Sequence, residues 1–415
     1  MIMLLYVCSV LLMLFGHLSK VRKWEQFMLV YDKLFFESLL VLSAGHAVNT
    51  VLPAYIGDGL KIGISGKKAY LELNHGVTVV KDNSSGSNAS TVKVLKQNKM
   101  YFRKYAFDAA SEKLAKQVDW IKTNQENIPL PIITSYKFGA DFFIYDMPCY
   151  NAAVGLFDYI HTMPIENSWD ILSRALEDIR VNLHGLNARK PDKANIEKYI
   201  AEKVQNNLRI ITGDKYINKL EEYDQIYVNG IELNTLSKYI DMLDPYHLEK
   251  VFCNDTYANI HGDLTIENII CLKDNRELDR EQYLGKKLPD DYYFIDPNTG
   301  NIHESPLLDY GKLLQSLHGG YEFLMMVSSV SVHDNCVDFL MTKSESYGLI
   351  YNRYKEWLKT NFTKEQVRSI YYHEIIHWLR LMPYKIRKNE KLAVVFYCEL
   401  LTVLADVRKM ENEEK

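Results

Sequence analysis

The sequence predicts an α+β protein in which a small antiparallel sheet precedes a mainly helical region. Short runs of β-branched and aromatic residues follow one another between residues 76 and 107. After residue 148, apolar residues instead recur at helical spacing, as in residues 169–184. We therefore expect an N-terminal hydrophobic helical segment at residues 1–69, a small sheet lobe at 70–148 and a large helical lobe at 149–415.

Composition excludes several classes of protein. The 415 residues are 47% hydrophobic, enough for a large buried core. The net charge is only -4 and no dense block of Lys and Arg occurs, so nucleic acid is not an expected partner. The cysteines lie singly, without a C-x-x-C pair, which is typical of a reduced cytosolic protein; they are Cys8, Cys149, Cys253, Cys271, Cys336 and Cys398.

The N-terminus differs from the rest of the chain. Residues 1–18 are almost wholly apolar and three basic residues follow at 20–23, which predicts an uncleaved membrane anchor with its basic flank on the cytoplasmic side. The next apolar run, 27–47, contains charged residues and favours an interfacial or protein-packed helix. We expect membrane association through residues 1–45 and a cytoplasmic location for the remainder. A buried helix is the alternative for residues 1–18.

Residues 49–58, with Asn-Thr-Val-Leu-Pro followed by Gly-Asp, resemble the first helices of the lysylphosphatidylglycerol synthase/flippase-like membrane family. That family has several more membrane helices, and none follows in this sequence. Flippase activity is therefore not expected.

The small lobe offers candidate phosphate contacts. A polar loop at 81–90 joins strand candidates 76–80 and 91–95, and its Ser85, Gly86 and Ser87 could hold phosphates through backbone N–H groups and hydroxyls. An ordinary flexible hairpin is the alternative. The third strand, 100–107, carries Lys104 on the same face as Phe102, with Arg103 opposite. Lys104 could meet phosphates, or it could be a surface lysine.

A helix is predicted at residues 108–124, with Glu112 in its first turns as the partner of Lys104 and Gln117 as the fallback. Strand candidates follow at 129–136 and 141–147. The second ends in Asp146-Met147-Pro148, a proline-stiffened crossover into the helical region, so Asp146 and Met147 are predicted cofactor contacts. Further helices are predicted at 169–184, 196–211 and 234–243, the last with Asn234 as N-cap.

The most informative stretch is residues 261–268, His-Gly-Asp-Leu-Thr-Ile-Glu-Asn, followed by Phe-Ile-Asp at 294–296. Phosphorylation of a hydroxyl by ATP needs one Asp to take the hydroxyl proton, and an Asn and a second Asp to hold magnesium against the phosphates. Asp263, Asn268 and Asp296 meet this requirement in order and offset.

These features together resemble the aminoglycoside phosphotransferase/choline kinase group of protein-kinase-like enzymes, over about residues 74–400. The resemblance implies a two-lobed protein-kinase-like fold, ATP and Mg²⁺ as cofactors, and a small-molecule hydroxyl acceptor, for example a sugar or an envelope saccharide precursor. It implies Asp263 as catalytic base and His261 as a structural support of the loop. It also implies Asn268 and Asp296 as magnesium ligands, and Lys104 with Glu112 as the phosphate-positioning pair.

The sequence departs from that group in two places. Residues 273–291 separate Asn268 from Asp296 more widely than the group's hairpin does, which predicts an extended hairpin. Asp296 is followed by Pro297 instead of Phe-Gly, which indicates a fixed metal site. Asp309 resembles the acidic residue that steadies the catalytic loop, with a helix cap as the alternative.

Parts of the sequence are also compatible with two other functions. Residues 373–377, His-Glu-Ile-Ile-His, match the H-E-x-x-H zinc pattern, with Glu399 as a third ligand, but a protease would leave the kinase residues unexplained. We interpret these histidines as helix packing or part of the acceptor cleft. A catalytically inactive nucleotide-binding interaction module is the second alternative, and the intact Asp263 argues against it. The residues expected to bind the acceptor are His303, Glu304, His318, Tyr321 and Glu322. The acidic side chains among them would suit a cationic or polyhydroxylated acceptor.

Overall fold

The computed structural model describes residues 76–84, 89–139 and 141–413. The segment at 1–69, the likeness at 49–58 and the loop residues Ser85, Gly86 and Ser87 lie outside the described residues. Among the helices that are described, none combines the length and apolarity needed to cross a bilayer. The chain divides into two compact units, residues 1–104 and 105–415. The predicted boundary near residue 148 stays a prediction.

The elements are numbered in chain order. The strands are β1 (Thr78–Asp82), β2 (Ala89–Lys96), β3 (Lys99–Phe107), β4 (Ser135–Phe138), β5 (Phe142–Pro148), β6 (Ala153–Gly155), β7 (Gln225–Val228), β8 (Ile231–Asn234), β9 (Ile269–Leu272), β10 (Tyr292–Phe294), β11 (Ser331–His333) and β12 (Cys336–Asp338). The α-helices are α1 (Ala109–Asn124), α2 (Leu156–Thr162), α3 (Ile165–Asp178), α4 (Lys193–Ile200), α5 (Asn206–Thr212), α6 (Lys215–Leu220), α7 (Pro245–Phe252), α8 (Pro306–Leu317), α9 (Tyr321–Met325), α10 (Glu345–Asn361), α11 (Lys364–Lys388) and α12 (Glu390–Glu413).

The first unit contains the β1–β2 hairpin and most of β3. The hairpin is antiparallel, with Thr78 opposite Leu95 and Asp82 opposite Val92. Alternation along β2 buries Val92 and Val94, as expected for a sheet with one face against a core. The three predicted strands of this region are therefore confirmed.

The second unit begins with the end of β3 and with α1, whose apolar Leu114, Val118 and Ile121 are buried as the spacing predicts. The β4–β5 hairpin follows, with Ser135 opposite Asp146. The prediction of a strand over 129–136 is wrong for its first part, because prolines at 129 and 131 lack the N–H that a sheet ladder needs.

A three-stranded sheet, in the order β10, β9, β6, positions the loops of interest. Phe294 lies opposite Ile269, so residues 261–268 enter this sheet next to the point where the chain leaves it toward Asp296. The prediction of an extended hairpin is wrong, because the ladder pairs only residues 269–271 with residues 292–294 and does not continue into the insert. The insert folds into short 3-10 turns instead, and its Leu278 and Tyr283 pack into a small apolar cluster with residues from outside the insert, namely Ile132, Tyr150, Leu272 and Tyr293.

The remaining predicted helices are confirmed in part. α3 continues into a π-helical turn at Ile179–Leu183, and α4 and α5 are joined by another at Ala201–Gln205. The helix predicted at 234–243 is wrong, because Asn234 pairs with Gln225 in the β7–β8 hairpin and only a 3-10 turn follows. At the centre of the helical core α8 packs against α11. The two helices approach closely at Gly311, where a Cβ would lie 2.6 Å from the Cβ of His373.

Candidate active site

The backbone of the 261–268 loop is held by one buried carboxylate. Gly262 has a φ of 79°, and a Cβ there would lie 2.1 Å from Nδ2 of Asn301 and 2.4 Å from the carbonyl oxygen of Asn298, so only glycine fits. The N–H groups of His261 and Gly262 donate to the two oxygens of Asp309, at 2.7 and 2.6 Å. This is the loop-steadying contact that the resemblance implies for Asp309.

Asp309 is itself fixed by its surroundings. It lies in the first turn of α8 and is completely buried. Nε2 of His184 lies 3.0 Å from its Oδ2, and Nδ1 of His184 lies 3.0 Å from the Tyr310 hydroxyl. A buried carboxylate with several hydrogen-bond partners has little freedom to move, so the loop inherits a fixed position.

His261 supports the loop from inside. Its Nε2 lies 2.9 Å from the carbonyl oxygen of Ile295, and because a carbonyl only accepts, Nε2 carries the proton. Nδ1 then accepts the N–H of Asp263, over 3.4 Å. Burial lowers the pKa of His261, which favours this neutral form. The imidazole therefore links the loop to the segment before Asp296 and leaves Asp263 as the group that reaches solvent.

The Asp263 carboxylate is 42% exposed and pairs with Lys312 of α8, whose Nζ lies 3.2 Å from Oδ1. Lys312 Nζ also donates to Oε1 of Gln315, at 2.9 Å, which fixes its direction. Burial acts to raise the pKa of Asp263, but the charge and hydrogen bond of Lys312, together with the charge of Arg380, outweigh it and lower that pKa below its ordinary value. Asp263 is thus an ionised, accessible carboxylate, the state that a general base needs.

Asn268 and the Asp296 segment are joined to the same loop. Nδ2 of Asn268 donates to the carbonyl oxygen of Asp263, at 2.7 Å, which leaves the amide oxygen as its ligating atom. The N–H of Ile295 donates to the carbonyl of Asn268, at 2.9 Å, and the N–H of Asn298 to that of His261, at 2.8 Å. Asp296 lies between these two anchors with a φ of 57°, a conformation that non-glycine residues seldom adopt.

An amide oxygen and a carboxylate are oxygen donors of the kind that Mg²⁺ prefers. The donor set of Asn268 and Asp296 therefore fits this ion. Both residues are half-buried, so neither is shielded from a ligand.

Helix α1 contacts this region through Gln117 rather than Glu112. Nε2 of Gln117 donates to the carbonyl of Pro297, at 2.7 Å, and its Oε1 accepts from the Tyr145 hydroxyl, at 3.2 Å. Burial and the charge of Asp296 together raise the pKa of Tyr145. Glu112 has an exposed side chain in the first turn. Its pairing with Lys104 stays a prediction.

The other predicted nucleotide contacts differ in their surroundings. Lys104 is buried near the end of β3. The Asp146 carbonyl accepts from both the N–H and the hydroxyl of Thr134, at 2.9 and 3.1 Å, and its carboxylate accepts from Ser135 at 2.9 Å. Asp146 is thus used to close the β4–β5 hairpin. Met147, the next residue, is buried, and its contact with the nucleotide stays a prediction.

The H-E-x-x-H residues serve packing. Nε2 of His373 lies 3.0 Å from Oδ2 of Asp255, whereas Nε2 of His377 lies 3.1 Å from the Leu308 carbonyl, so the two imidazoles are directed to different partners. Glu374 pairs with His318, over 2.9 Å. This separation supports the interpretation of the motif as helix packing.

Asp255, His303 and His373 do lie close enough to hold a metal ion. Both imidazole Nε2 atoms lie within 3.1 Å of the same Asp255 oxygen. Their Nδ1 atoms lie 2.9 Å from the Tyr257 hydroxyl and 3.1 Å from the Tyr199 hydroxyl. Every ring nitrogen has a partner, so the network is complete without an ion.

Most of the predicted acceptor residues are also occupied. Glu322 is buried and accepts from Ser316 and Tyr347, at 2.7 and 2.9 Å. Glu304 pairs with Arg189. His303 and His318 belong to the buried networks. For Tyr321, burial and the charges of Glu322 and Asp263 raise the pKa to about 12.

Sequence reasoning missed two cations near the base, Lys312 and Arg380. Lys312 follows Asp309 by three residues, so both lie on one side of α8. That spacing was a usable signal once Asp309 had been related to the catalytic loop. Arg380 comes from a distant helix, and no local pattern could have brought it to Asp263.

Comparison with known proteins gives a fold. No family model and no curated protein matches this chain. The apo crystal structure of a thermostable mutant of aminoglycoside phosphotransferase APH(4)-Ia is similar over 82% of this chain and 98% of that chain, with a TM-score of 0.50 and 9% identity. A putative fructosamine-3-kinase from Haemophilus somnus 129PT is similar over 82% and 97%, with a TM-score of 0.43 and 11% identity. The GDP complex of an aminoglycoside 2'-phosphotransferase-IIIa mutant is similar over 83% and 96%, with a TM-score of 0.47 and 12% identity.

At this level of identity the first of these likenesses shows the fold alone. Nothing in the comparisons supports the resemblance to the lysylphosphatidylglycerol synthase/flippase-like family. The chain has the two-lobed, kinase-like α+β fold, with an antiparallel sheet and a helical C-terminal lobe, that aminoglycoside phosphotransferase APH(4)-Ia also has.

Proposed function

We propose that this protein is a small-molecule kinase, which transfers the γ-phosphate of ATP to a hydroxyl of an acceptor such as a sugar or an envelope saccharide precursor. One observation carries the proposal. The accessible carboxylate of Asp263, the Asn268 amide and the Asp296 segment are joined by direct hydrogen bonds through one loop, in a fold shared with a small-molecule phosphotransferase.

Asp263 acts as the general base. Its ionised carboxylate takes the proton of the acceptor hydroxyl as that oxygen forms a bond to the γ-phosphorus and the bond from phosphorus to the ADP oxygen breaks. The Lys312 ammonium, 3.2 Å from Oδ1, keeps the carboxylate ionised between turnovers. It also places positive charge where the negative charge of the transferred group accumulates.

Asn268 and Asp296 would hold magnesium, which when bound neutralises phosphate charge. The phosphates of ATP would be bound by Lys104, Glu112 and the loop residues Ser85, Gly86 and Ser87. Met147 would lie against the adenine ring. Gln117 positions the Asp296 segment through Pro297.

The test is an assay of ADP release by the full-length protein with MgATP and a panel of sugars, amino alcohols and aminoglycosides. Asp263→Asn is the matched variant, because the amide keeps the shape of the side chain but cannot take the proton. The proposal predicts acceptor-stimulated ADP release that the variant lacks. Nucleotide binding without turnover on any acceptor, identical in the variant, would contradict it and favour an inactive nucleotide-binding module.

We further propose that residues 1–45 tether the protein to the cytoplasmic side of a membrane, so that the active site meets ATP. This rests on the apolar run at 1–18 and the basic residues after it. Fractionation of native cells tests it. The protein should sediment with membranes and resist extraction with high salt, and recovery in the soluble fraction would contradict the proposal.

A further inference from the structure

The surroundings of Asp263 are cationic, contrary to the expectation of an acidic acceptor cleft. The acids considered from the sequence are engaged elsewhere: Glu322 is buried with two hydroxyl donors, and Glu304 pairs with Arg189. The cations that act on Asp263 are Lys312, whose Nζ lies 3.2 Å from Oδ1, and Arg380, whose charge contributes to lowering the pKa of Asp263. A cationic acceptor would therefore meet repulsion instead of attraction at the base.

Packing of α8 against α11 places Arg380 beside Lys312. His377 of α11 contacts the carbonyl of Leu308 of α8, at 3.1 Å. Lys312 lies one turn beyond Leu308, and Arg380 lies three residues beyond His377, so each cation is on the helix face that makes this contact. Burial and the charges of Lys312 and Arg380 hold the pKa of His377 well below its ordinary value.

Arg380 has no partner of its own. It is half-buried, and in the part of the chain that the structure describes its guanidinium makes no hydrogen bond or ion pair. An unpaired guanidinium that has lost part of its hydration is costly, and its planar donor fork matches the oxygens of phosphate and carboxylate groups. A ligand anion would satisfy this group.

Lys385, further along α11, donates from Nζ to Sδ of Met325, at 2.6 Å. Its Nζ lies 4.3 Å from the ring centroid of Phe396 and 5.2 Å from that of Tyr321. Over the described residues, no carboxylate lies within 4 Å of this ammonium. Burial and the charges of Lys388 and Lys312 lower the pKa of Lys385 to about 8. Lys385 is thus a second partly buried cation of α11 whose partners among the described residues, Met325 and two aromatic rings, carry no charge.

We propose that the acceptor is an anionic molecule, a hydroxyl compound that also carries a phosphate or carboxylate group, and that Arg380 and Lys385 bind this group. The inference rests on the proposed phosphotransfer function and specifies its substrate class. Lys312 remains with Asp263, so the cations divide into one for the reacting group and two for the acceptor.

The experiment identifies the charge of the acceptor without assuming its identity. Small molecules and lipid-linked saccharides extracted from the native cells are separated by anion exchange, and bound and unbound fractions are assayed for ADP release by the full-length protein. We expect acceptor activity in the anion-bound fractions. Loss of that activity after phosphatase treatment would identify a phosphate group, and its persistence a carboxylate. Acceptor activity confined to the unbound fraction would overturn the inference.

Matched variants separate this inference from the proposed function. With the active fraction, Arg380→Gln and Lys385→Gln should each raise the KM for acceptor by about 10-fold or more, the loss of one charge-assisted contact. The Kd for MgATP should not change. Arg387→Gln, on the same helix but exposed, is the control. Unchanged KM in both variants would overturn the inference, whereas absence of ADP release from every fraction, as in Asp263→Asn, would overturn the proposed function itself.

Discussion

The loop at residues 261–268 and the H-E-x-x-H turn of α11 are both rich in polar groups, but they use them differently. In the loop, backbone groups are paired internally, with two N–H groups on Asp309, while the Asp263 carboxylate is 42% exposed. In the turn, the side chain of His373 is completely buried and both of its ring nitrogens have partners. A polar group that binds a ligand stays accessible on a loop whose backbone is held by hydrogen bonds. The polar groups of a structural network are buried, and their hydrogen bonds are made within the protein.

The largest effect is expected from Asp263→Asn, which removes the general base and leaves the contacts between Asp309 and the 261–268 loop in place. We expect kcat to fall by about 10²- to 10⁴-fold, the usual contribution of a general base. MgATP affinity and thermal stability should change little, because Asp263 is half-exposed. Steady-state kinetics with acceptor, together with calorimetric titration of MgATP, measures both. A fall of less than threefold would show that Asp263 is not the base.

Asp309→Ala removes the carboxylate that holds the 261–268 loop in place. It leaves two buried N–H groups and His184 without their acceptor, and we expect the free energy of unfolding to fall by roughly 3 to 5 kcal/mol, as when one partner of a buried polar network is removed. Activity should be lost even in the folded fraction, because the loop can shift. Urea denaturation measures the change, and Asp338→Ala, at an exposed strand position, is the control. Equal stability of the two variants would show that Asp309 does not hold the loop.

His373→Gln tests the other region. Asp255 and Tyr199 lose a hydrogen-bond partner, so the free energy of unfolding should fall by about 1 to 3 kcal/mol while kcat stays within about twofold. Exposed His333→Gln supplies the comparison. Elemental analysis of the wild type should find no stoichiometric zinc. One equivalent of zinc, absent from the variant, would make this cluster a metal site and reverse the contrast between the two regions.

The sequence predicted the elements that depend on local pattern. β1 to β3, α1 and the 261–268 loop follow from alternation, helical spacing and a short motif. It failed where contacts between distant residues decide. Asn234 was expected to cap a helix, but pairing with Gln225 places it in a strand. The insert at 273–291 was expected to extend a hairpin, but burial of its Leu278 and Tyr283 pulls it into turns.

The same limit applies to the candidate site. Asp263, Asn268 and Asp296 were found by their spacing along the chain. Arg380 is 117 residues from Asp263 in sequence. It is carried by α11, which approaches α8 closely at Gly311, and such packing leaves no local sign in the sequence.

The smallest expected effect concerns Lys312, which lies on α8 and pairs with the exposed carboxylate of Asp263. Because Lys312 lowers the pKa of Asp263, Lys312→Met should raise that pKa, so that a larger fraction of Asp263 is protonated at acidic pH. The acidic limb of the kcat/KM profile should therefore move to higher pH, with thermal stability little changed. A profile that keeps its acidic limb in place would show that the ion pair does not control the base.

The central claim is that Asn268 and Asp296 hold a metal against ATP beside Asp263. A crystal structure of the full-length protein with Mg²⁺ and a non-hydrolysable ATP analogue tests it most directly. The account predicts magnesium bound by the amide oxygen of Asn268 and a carboxylate oxygen of Asp296, at about 2.0 to 2.1 Å, with the γ-phosphate facing Asp263. A nucleotide bound elsewhere, or a metal that neither residue contacts, would contradict it.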